Sequence, residues 1–304
     1  MINDGKKYTY EPIHGTPARI TLPKGVGLVL EGGGTRGYYS SGVFEAFMEE
    51  GVIFPYIIGV SAGAANALTY IAGQKGRARQ IIERCVFNPR YVSKRNLILH
   101  GSLFDFDFIF GDIPQKHIAF DWENFNNCDT RFLVGTLNCK DGATVWHEKD
   151  TIDESLLPVI ASCSIPGLAK IVKYRDLELL DGGICDPIPI EKSISDGNNL
   201  NVVVMTRNPG YVKKAVGHEK AVRLLFRKHP AVADALLRRH ELYNRQVELC
   251  ERLEKEGKAI IIRPLEPLKV GRSAKNVSDL IELYEEGRRE GESALVKLKA
   301  LIKY

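Results

Sequence analysis

The sequence predicts an α/β protein: a mostly parallel sheet with helices on both faces, continued by a helical C-terminal portion. Two observations carry this. Apolar runs of strand length at 26–30, 56–58, 200–206 and 259–262 are each followed by a segment with helical spacing. Strands that alternate with helices in this way favour parallel pairing, with helices covering the sheet. The run at 200–206 is also apolar without alternation, as a strand buried on both sides is. No internal repeat and no linker-like composition interrupts the 304 residues, which suffice for a sizeable core.

Taken in order, residues 1–24 are polar and punctuated by Pro and Gly, a lead-in that packs late or loosely. The strand 26–30 runs into Glu31-Gly32-Gly33-Gly34-Thr35-Arg36-Gly37. A helix follows over about 38–50, with Val43, Phe44 and Phe47 on one face. The strand 56–58 then leads into Gly59-Val60-Ser61-Ala62-Gly63, and helices follow at about 64–73 and 76–86. Residues 88–130 are weakly periodic and rich in aromatics, among them Phe104, Phe106, Phe110, Phe120 and Trp122. Such a segment reads equally as a lid or cleft wall and as an insertion with its own packing. Strands at 131–137 and 143–147 pair around Lys140-Asp141-Gly142. A helix over about 153–162 closes at Pro166-Gly167, and the strand 177–180 ends in Asp181-Gly182-Gly183. Beyond 200–206 lie basic helices at about 217–227 and 231–256, the strand 259–262, and a last helix over about 276–302.

Composition is that of an ordinary globular chain, 44% hydrophobic and 26% charged. The net charge of +4 is unevenly placed: residues 201–304 hold 22 Lys and Arg against 14 Asp and Glu, whereas residues 1–200 hold 20 against 24. The basic end reads as a solvated helix surface or as an attraction for anionic lipid headgroups. No nucleic-acid partner is expected. The six cysteines show neither C-x-x-C nor zinc-ligand spacing with histidine, so no metal is expected, and reduced thiols suit a cytoplasmic protein. The N-terminus lacks the apolar stretch of a signal peptide. Residues 51–74 carry no charge and are long enough to cross a bilayer. Pro55, Gly59, Gly63 and Asn66 interrupt them, and the period changes midway, so a buried strand, turn and helix is expected instead.

Three motifs carry chemistry. Gly59-Val60-Ser61-Ala62-Gly63, between a strand and a helix, has the form of a nucleophile elbow. Gly59 and Gly63 admit the tight turn that lifts the Ser61 hydroxyl clear, and the helix start aims N–H groups at a developing oxyanion. Gly32-Gly33-Gly34-Thr35-Arg36-Gly37 fits a dinucleotide fingerprint, but the acidic residue due some twenty positions on is missing. The competing reading is an oxyanion hole. Asp181-Gly182-Gly183 ends an apolar strand of the same sheet and offers a carboxylate as base. Aspartate is a weak base near pKa 3.9, and a water-poor cleft strengthens it. A Ser–Asp–His triad needs a later histidine, but His218, His229 and His240 all fall in basic helical segments, so a Ser–Asp dyad is the expectation.

Together with Ala161-Ser162-Cys163-Ser164-Ile165-Pro166, these motifs resemble, in order, those of the patatin-like phospholipase family over roughly residues 25–210. The resemblance implies a three-layer sandwich that hydrolyses lipid acyl esters without a cofactor. It makes Ser61 the nucleophile, Asp181 the base, Gly33, Gly34 and Thr35 the oxyanion-hole donors, and Arg36 the support of their loop. One departure shows: many members continue D-G-G-x-x-x-N-x-P, and here the asparagine position is Pro187. The division expected is a lead-in 1–24, a catalytic unit 25–210, and a helical region 211–304 packed on or continuing the same domain. The partner expected is a lipid or acyl-ester substrate, with peripheral contact of the 223–228 helix with an anionic membrane left open. Two alternatives stand beside a lipid acyl hydrolase: an esterase or thioesterase of small soluble substrates, and a lipid-binding protein that kept the fold without catalysis.

Overall fold

A computed structural model describes residues 19–302, so residues 1–18 of the expected lead-in lie outside the described residues. The first half comprises β1 (Ile20–Thr21), β2 (Val26–Leu30), α1 (Tyr38–Glu49), β3 (Val52–Ile53), β4 (Tyr56–Val60), α2 (Ala62–Ile71), α3 (Arg77–Arg84) and α4 (Lys94–His100). A π-helix (Asp107–His117) and α5 (Trp122–Asn127) lead to β5 (Arg131–Asn138) and β6 (Thr144–Glu148). Then come α6 (Leu157–Cys163), β7 (Val172–Tyr174), β8 (Leu177–Asp181), α7 (Ile190–Ser195), β9 (Leu200–Val204), α8 (Glu219–Leu225), α9 (Pro230–Lys255), β10 (Ala259–Ile262) and α10 (Val277–Leu301).

The expected α/β architecture is the one observed. Strands β10, β9, β2, β4 and β5 lie side by side and parallel. Successive residues of these strands point to opposite covered faces. Leu28, Leu30, Ile57, Val202, Val204 and Ile260 pack with α1, α2 and α10. Their neighbours Val29, Ile58, Leu133 and Val203 pack with Ile188 and Ile190 and with Tyr243 and Cys250 of α9. Burial on both sides is why these strands are apolar without alternation. The uncharged stretch 51–74 becomes β3, β4, the turn and α2, largely buried, and among the described residues no helix is long and apolar enough to cross a membrane.

Two features depart from the expectation. The helix expected from 153 starts only at Leu157, after a short 3-10 turn at Lys149–Thr151. The strand that carries Asp181 is not one of the parallel set: β8 runs antiparallel to β5 and β7 antiparallel to β8, while β6 pairs with β5 as expected for the strands around Lys140-Asp141-Gly142. That reversal positions the site. On one edge of β5, β4 pairs up to Val60 opposite Gly135, and β8 takes over from there, with Asp181 opposite Thr136. Two strands thus meet end to end on a common neighbour, and the residues at their tips, Ser61 and Asp181, face each other across the junction.

Helix α10 returns across α1 at backbone contact. A Cβ on Gly42 would overlap the carbonyl of Tyr284, and one on Gly287 that of Tyr39. The C-terminal elements therefore contribute an edge strand, β10, and cover for both faces of the sheet.

Candidate active site

Ser61 is the residue at which strand becomes helix. Its backbone holds φ 53 and ψ −132, a left-handed conformation that costs a side-chain-bearing residue of order 1–3 kcal/mol. The turn is held by groups around it. The Ser61 N–H donates to Ser162 Oγ at 2.7 Å, and Ser162 Oγ donates to the Gly135 carbonyl at 2.7 Å. Gly63 must lack a side chain because a Cβ there would lie 2.7 Å from the Glu31 carbonyl oxygen. Ser162 sits in the segment singled out before the aspartate, but its role as the turn's anchor is seen only in three dimensions.

The Ser61 hydroxyl donates to Asp181 Oδ2 at 3.0 Å, and the Gly183 N–H donates to Asp181 Oδ1 at 2.7 Å. The carboxyl is buried, and burial raises its pKa from 3.8 to about 6, opposed chiefly by the nearby Arg239 guanidinium. The carboxylate is thus a stronger base than free aspartate while still ionised at neutral pH. Arg239, from α9, is fixed alongside by Nε donating to the Gly183 carbonyl at 2.5 Å.

The glycine-rich loop comes within contact of the serine: a Cβ on Gly32 would lie 2.8 Å from Ser61 Cβ. No described residue accepts the N–H of Gly33 or Gly34, leaving both available to a ligand. Thr35 differs from the expectation. Its N–H donates to the Arg272 carbonyl at 2.9 Å, its hydroxyl donates to the Gly271 carbonyl at 3.0 Å, and it accepts the Ala274 N–H at 3.0 Å. Its amide is therefore spent as a structural tie and is not free to meet an oxyanion. Gly34, at φ 59, packs so closely on the Arg272 carbonyl that a Cβ would overlap it. Arg36 does not hold the loop by hydrogen bonds either. It is buried, its Nε has no partner, and it lines a cavity in which Glu31 is the main charge opposing its own. Support of the loop falls instead to Thr35 and to Thr206, whose hydroxyl donates to the Gly32 carbonyl at 3.2 Å.

Two cavities open on Ser61. One, of about 130 Å³, is apolar and reaches between α2 and the aromatic segment, lined by Leu68, Phe104, Phe110, Ile113 and Ile165. Residues 88–130 therefore form a cleft wall. Phe104 stacks on Phe106, and Phe106 meets Phe110 at a centroid distance of 5.9 Å, on the π-helix. The other cavity, of about 30 Å³, is polar, bordered by Gly33, Asp181, Arg36, Lys213, Arg239 and Arg272. Among the described residues no histidine lines either cavity. His229 instead lies 3.9 Å from Glu178, and His240 bonds the Leu237 carbonyl.

Ser61 thus stands on a strained strand-to-helix turn of an α/β sheet, against an apolar cavity. The Patatin-like phospholipase family matches over residues 28–194, and the chain belongs to it, a family of lipid ester hydrolases. A domain of unknown function matches residues 229–303. Among curated relatives, the uncharacterized protein YjjU of Escherichia coli is 30% identical over 60% of this chain and 52% of its own length. The lysophospholipase NTE1 of Scheffersomyces stipitis is 28% identical over 62% of this chain but only 12% of its own. The matched part thus spans about half or less of these relatives. The crystal structure of VipD from Legionella pneumophila covers 90% of this chain and 67% of that one, with a TM-score of 0.47 and 15% identity, too distant to decide anything.

Proposed function

We propose that the protein hydrolyses the carboxylic ester of a lipid acyl chain, with Ser61 as nucleophile and Asp181 as general base. The observation that carries this is the 3.0 Å hydrogen bond from the Ser61 hydroxyl to the buried Asp181 carboxylate, at the mouth of an apolar cavity. Ser61 Oγ attacks the ester carbonyl carbon as its proton passes to Asp181. The carbonyl oxygen becomes an oxyanion within reach of the Gly33 and Gly34 N–H groups, each such donor being worth roughly 3–4 kcal/mol. Collapse expels the alcohol, which takes the proton from Asp181. Water, activated by the same carboxylate, then releases the fatty acid and restores Ser61. A strained serine backbone and a hydrogen-bonded base are features a binding protein has no need to keep. The aromatic lining favours a long acyl chain over a small soluble ester, and the lysophospholipase name of the yeast relative agrees with that substrate.

The test is covalent labelling with a fluorophosphonate, read by intact mass and peptide mapping. We expect labelling at Ser61 that vanishes in Ser61→Ala and slows by about 10²-fold or more in Asp181→Asn. Folded wild-type protein that stays unlabelled in the presence of lipid would remove the hydrolase reading and leave lipid binding.

A peripheral membrane contact belongs to the same reading. Ile98 and Leu99 on α4, Leu168, and Leu224 and Leu225 on α8 are exposed. They lie along one rim: the Leu103 N–H bonds the Leu168 carbonyl, Leu225 borders Gly167, and Phe104 and Ile165 beside them line the apolar cavity. Arg227 and Lys228 follow Leu225 closely in sequence, as suits an anionic surface, whereas Arg223 pairs with Glu219 and Asp234.

A further inference from the structure

The polar cavity beside Ser61 concentrates positive charge that the dyad does not require. Arg36 comes from the glycine loop, Lys213 from the segment after β9, Arg239 from α9, and Arg272 from the loop before α10. Arg207, with its Nε buried and without a hydrogen-bond partner, adds to the field on Arg36. None of these five forms a salt bridge among the described residues. Among the described residues two carboxylates are near, and both are engaged: Glu31 accepts the Thr206 N–H at 2.6 Å and the Tyr243 hydroxyl, and Asp181 accepts Ser61 and Gly183. Lys213 instead rests its ammonium over the Tyr243 ring, 4.2 Å from the centroid. Burial and then the neighbouring Arg239 lower it to about 7, with Arg272 and Arg36 in the same direction and Glu31 opposing. Five cations, most of them wholly or partly buried, face these two carboxylates, and such an excess of positive charge opposes folding unless an anion joins them.

We propose that this cavity is a binding site for a phosphate-class oxyanion, built by the C-terminal third of the chain and positioned to take the anionic group of the acyl ester under attack. The assignment rests on the reading of Ser61 as nucleophile. Ser61, Gly34 and Ile165 border both cavities, so an acyl chain in the apolar one and an oxyanion in the cationic one flank the same hydroxyl. Planar guanidinium forks suit phosphate oxygens. A zwitterionic headgroup brings a second cation into the same field and is disfavoured. The substrate class is then an acyl ester carrying net negative charge close to the scissile bond, such as a lysophosphatidate.

Two measurements test this, one of them independent of catalysis. Inorganic phosphate, titrated into the Ser61→Ala protein, is expected to raise its Tm, and to raise it less when Arg272→Gln or Lys213→Gln is added. Both variants keep the backbone, and Arg272 is exposed, so folding is checked by Tm without phosphate. In the second measurement kcat/KM is compared for lysophosphatidate, lysophosphatidylcholine and monoacylglycerol of one chain length. Wild type is expected to favour the first by about ten-fold or more, and each variant to shrink that ratio several-fold, mainly through KM. Phosphate stabilisation without any ester preference supports the site and assigns it to a free phosphate ion. No stabilisation together with equal ratios overturns the proposal. A protein that binds phosphate but is not labelled at Ser61 loses the nucleophile reading and keeps the oxyanion site.

Discussion

At the scale of single residues, the proposed dyad rests on where a proton resides. In that proposal Asp181 acts as base only when ionised, so kcat/KM for a neutral soluble ester is expected to fall about ten-fold per unit as pH drops below about 6. The same shift has a signature in stability. A carboxyl raised from 3.8 to about 6 by burial contributes stability that is fully present below pH 3.8 and is lost as pH rises through about 6. Asp181→Asn removes that charge, so its Tm is expected above wild type at pH 8, with the gap closing towards pH 4. The gain at high pH is on the order of 2–3 kcal/mol. Equal Tm differences at both pH values would mean that the burial of Asp181 carries no such cost. Ser61 and Asp181 could be picked out in the sequence because each stands in a short, chemically restricted string. The engagement of the Thr35 amide could not, since its partner, the Arg272 carbonyl, comes from the far end of the chain. Ser162 was visible only as part of a string, and its two hydrogen bonds depend on β4 and β5 lying side by side.

At the scale of elements, the parallel strands and their crossover helices were legible because burial on both faces leaves a continuous apolar run. The direction of β8 was not, as a five-residue strand reads the same in either sense, and direction is what brings Asp181 to the tip of β4. Aromatics at every second position from 104 to 110 match neither a standard helix nor a one-sided strand, and part of that stretch is wound as a π-helix. Helix α8 shows how an element's surroundings decide its meaning. None of its seven residues is buried, and Leu224 and Leu225 are 68% and 67% exposed beside the mouth of the apolar cavity. If this rim meets lipid, Leu224→Asp combined with Ile98→Asp is expected to weaken sedimentation with anionic vesicles by about ten-fold, through lost apolar burial. Hydrolysis of a dissolved short-chain ester serves as the reference in the same preparation. Unchanged vesicle binding would show that the exposed leucines serve some other contact.

At the scale of the whole molecule, the three motifs end before residue 190, and the chain goes on for more than a hundred residues to complete both the core and the site. Helix α9 supplies Tyr243 and Cys250 to one face of the sheet, α10 supplies Leu280, Leu283, Tyr284, Leu295 and Leu298 to the other, and β10 pairs with β9. Each buried side chain of this size contributes about 1.5–3 kcal/mol. Losing seven of them removes roughly 10–20 kcal/mol, as much as or more than a typical net stability of about 5–15 kcal/mol. The same segments bring Arg239 to Asp181 and tie Thr35 to residues 271–274. The basic C-terminal third read in the sequence as a solvated helix surface or a lipid-facing one, because charge patterning along one helix does not reveal which cations turn inward. A chain ending at residue 210 keeps every motif, yet it is expected to be insoluble or to lack a cooperative thermal transition, and to leave Ser61 unlabelled by fluorophosphonate. Should residues 1–210 instead unfold cooperatively and label at Ser61, the C-terminal third would be a separate unit. Its cations would then be an addition to a finished site, and the loss of oxyanion binding without loss of labelling would measure what that addition does.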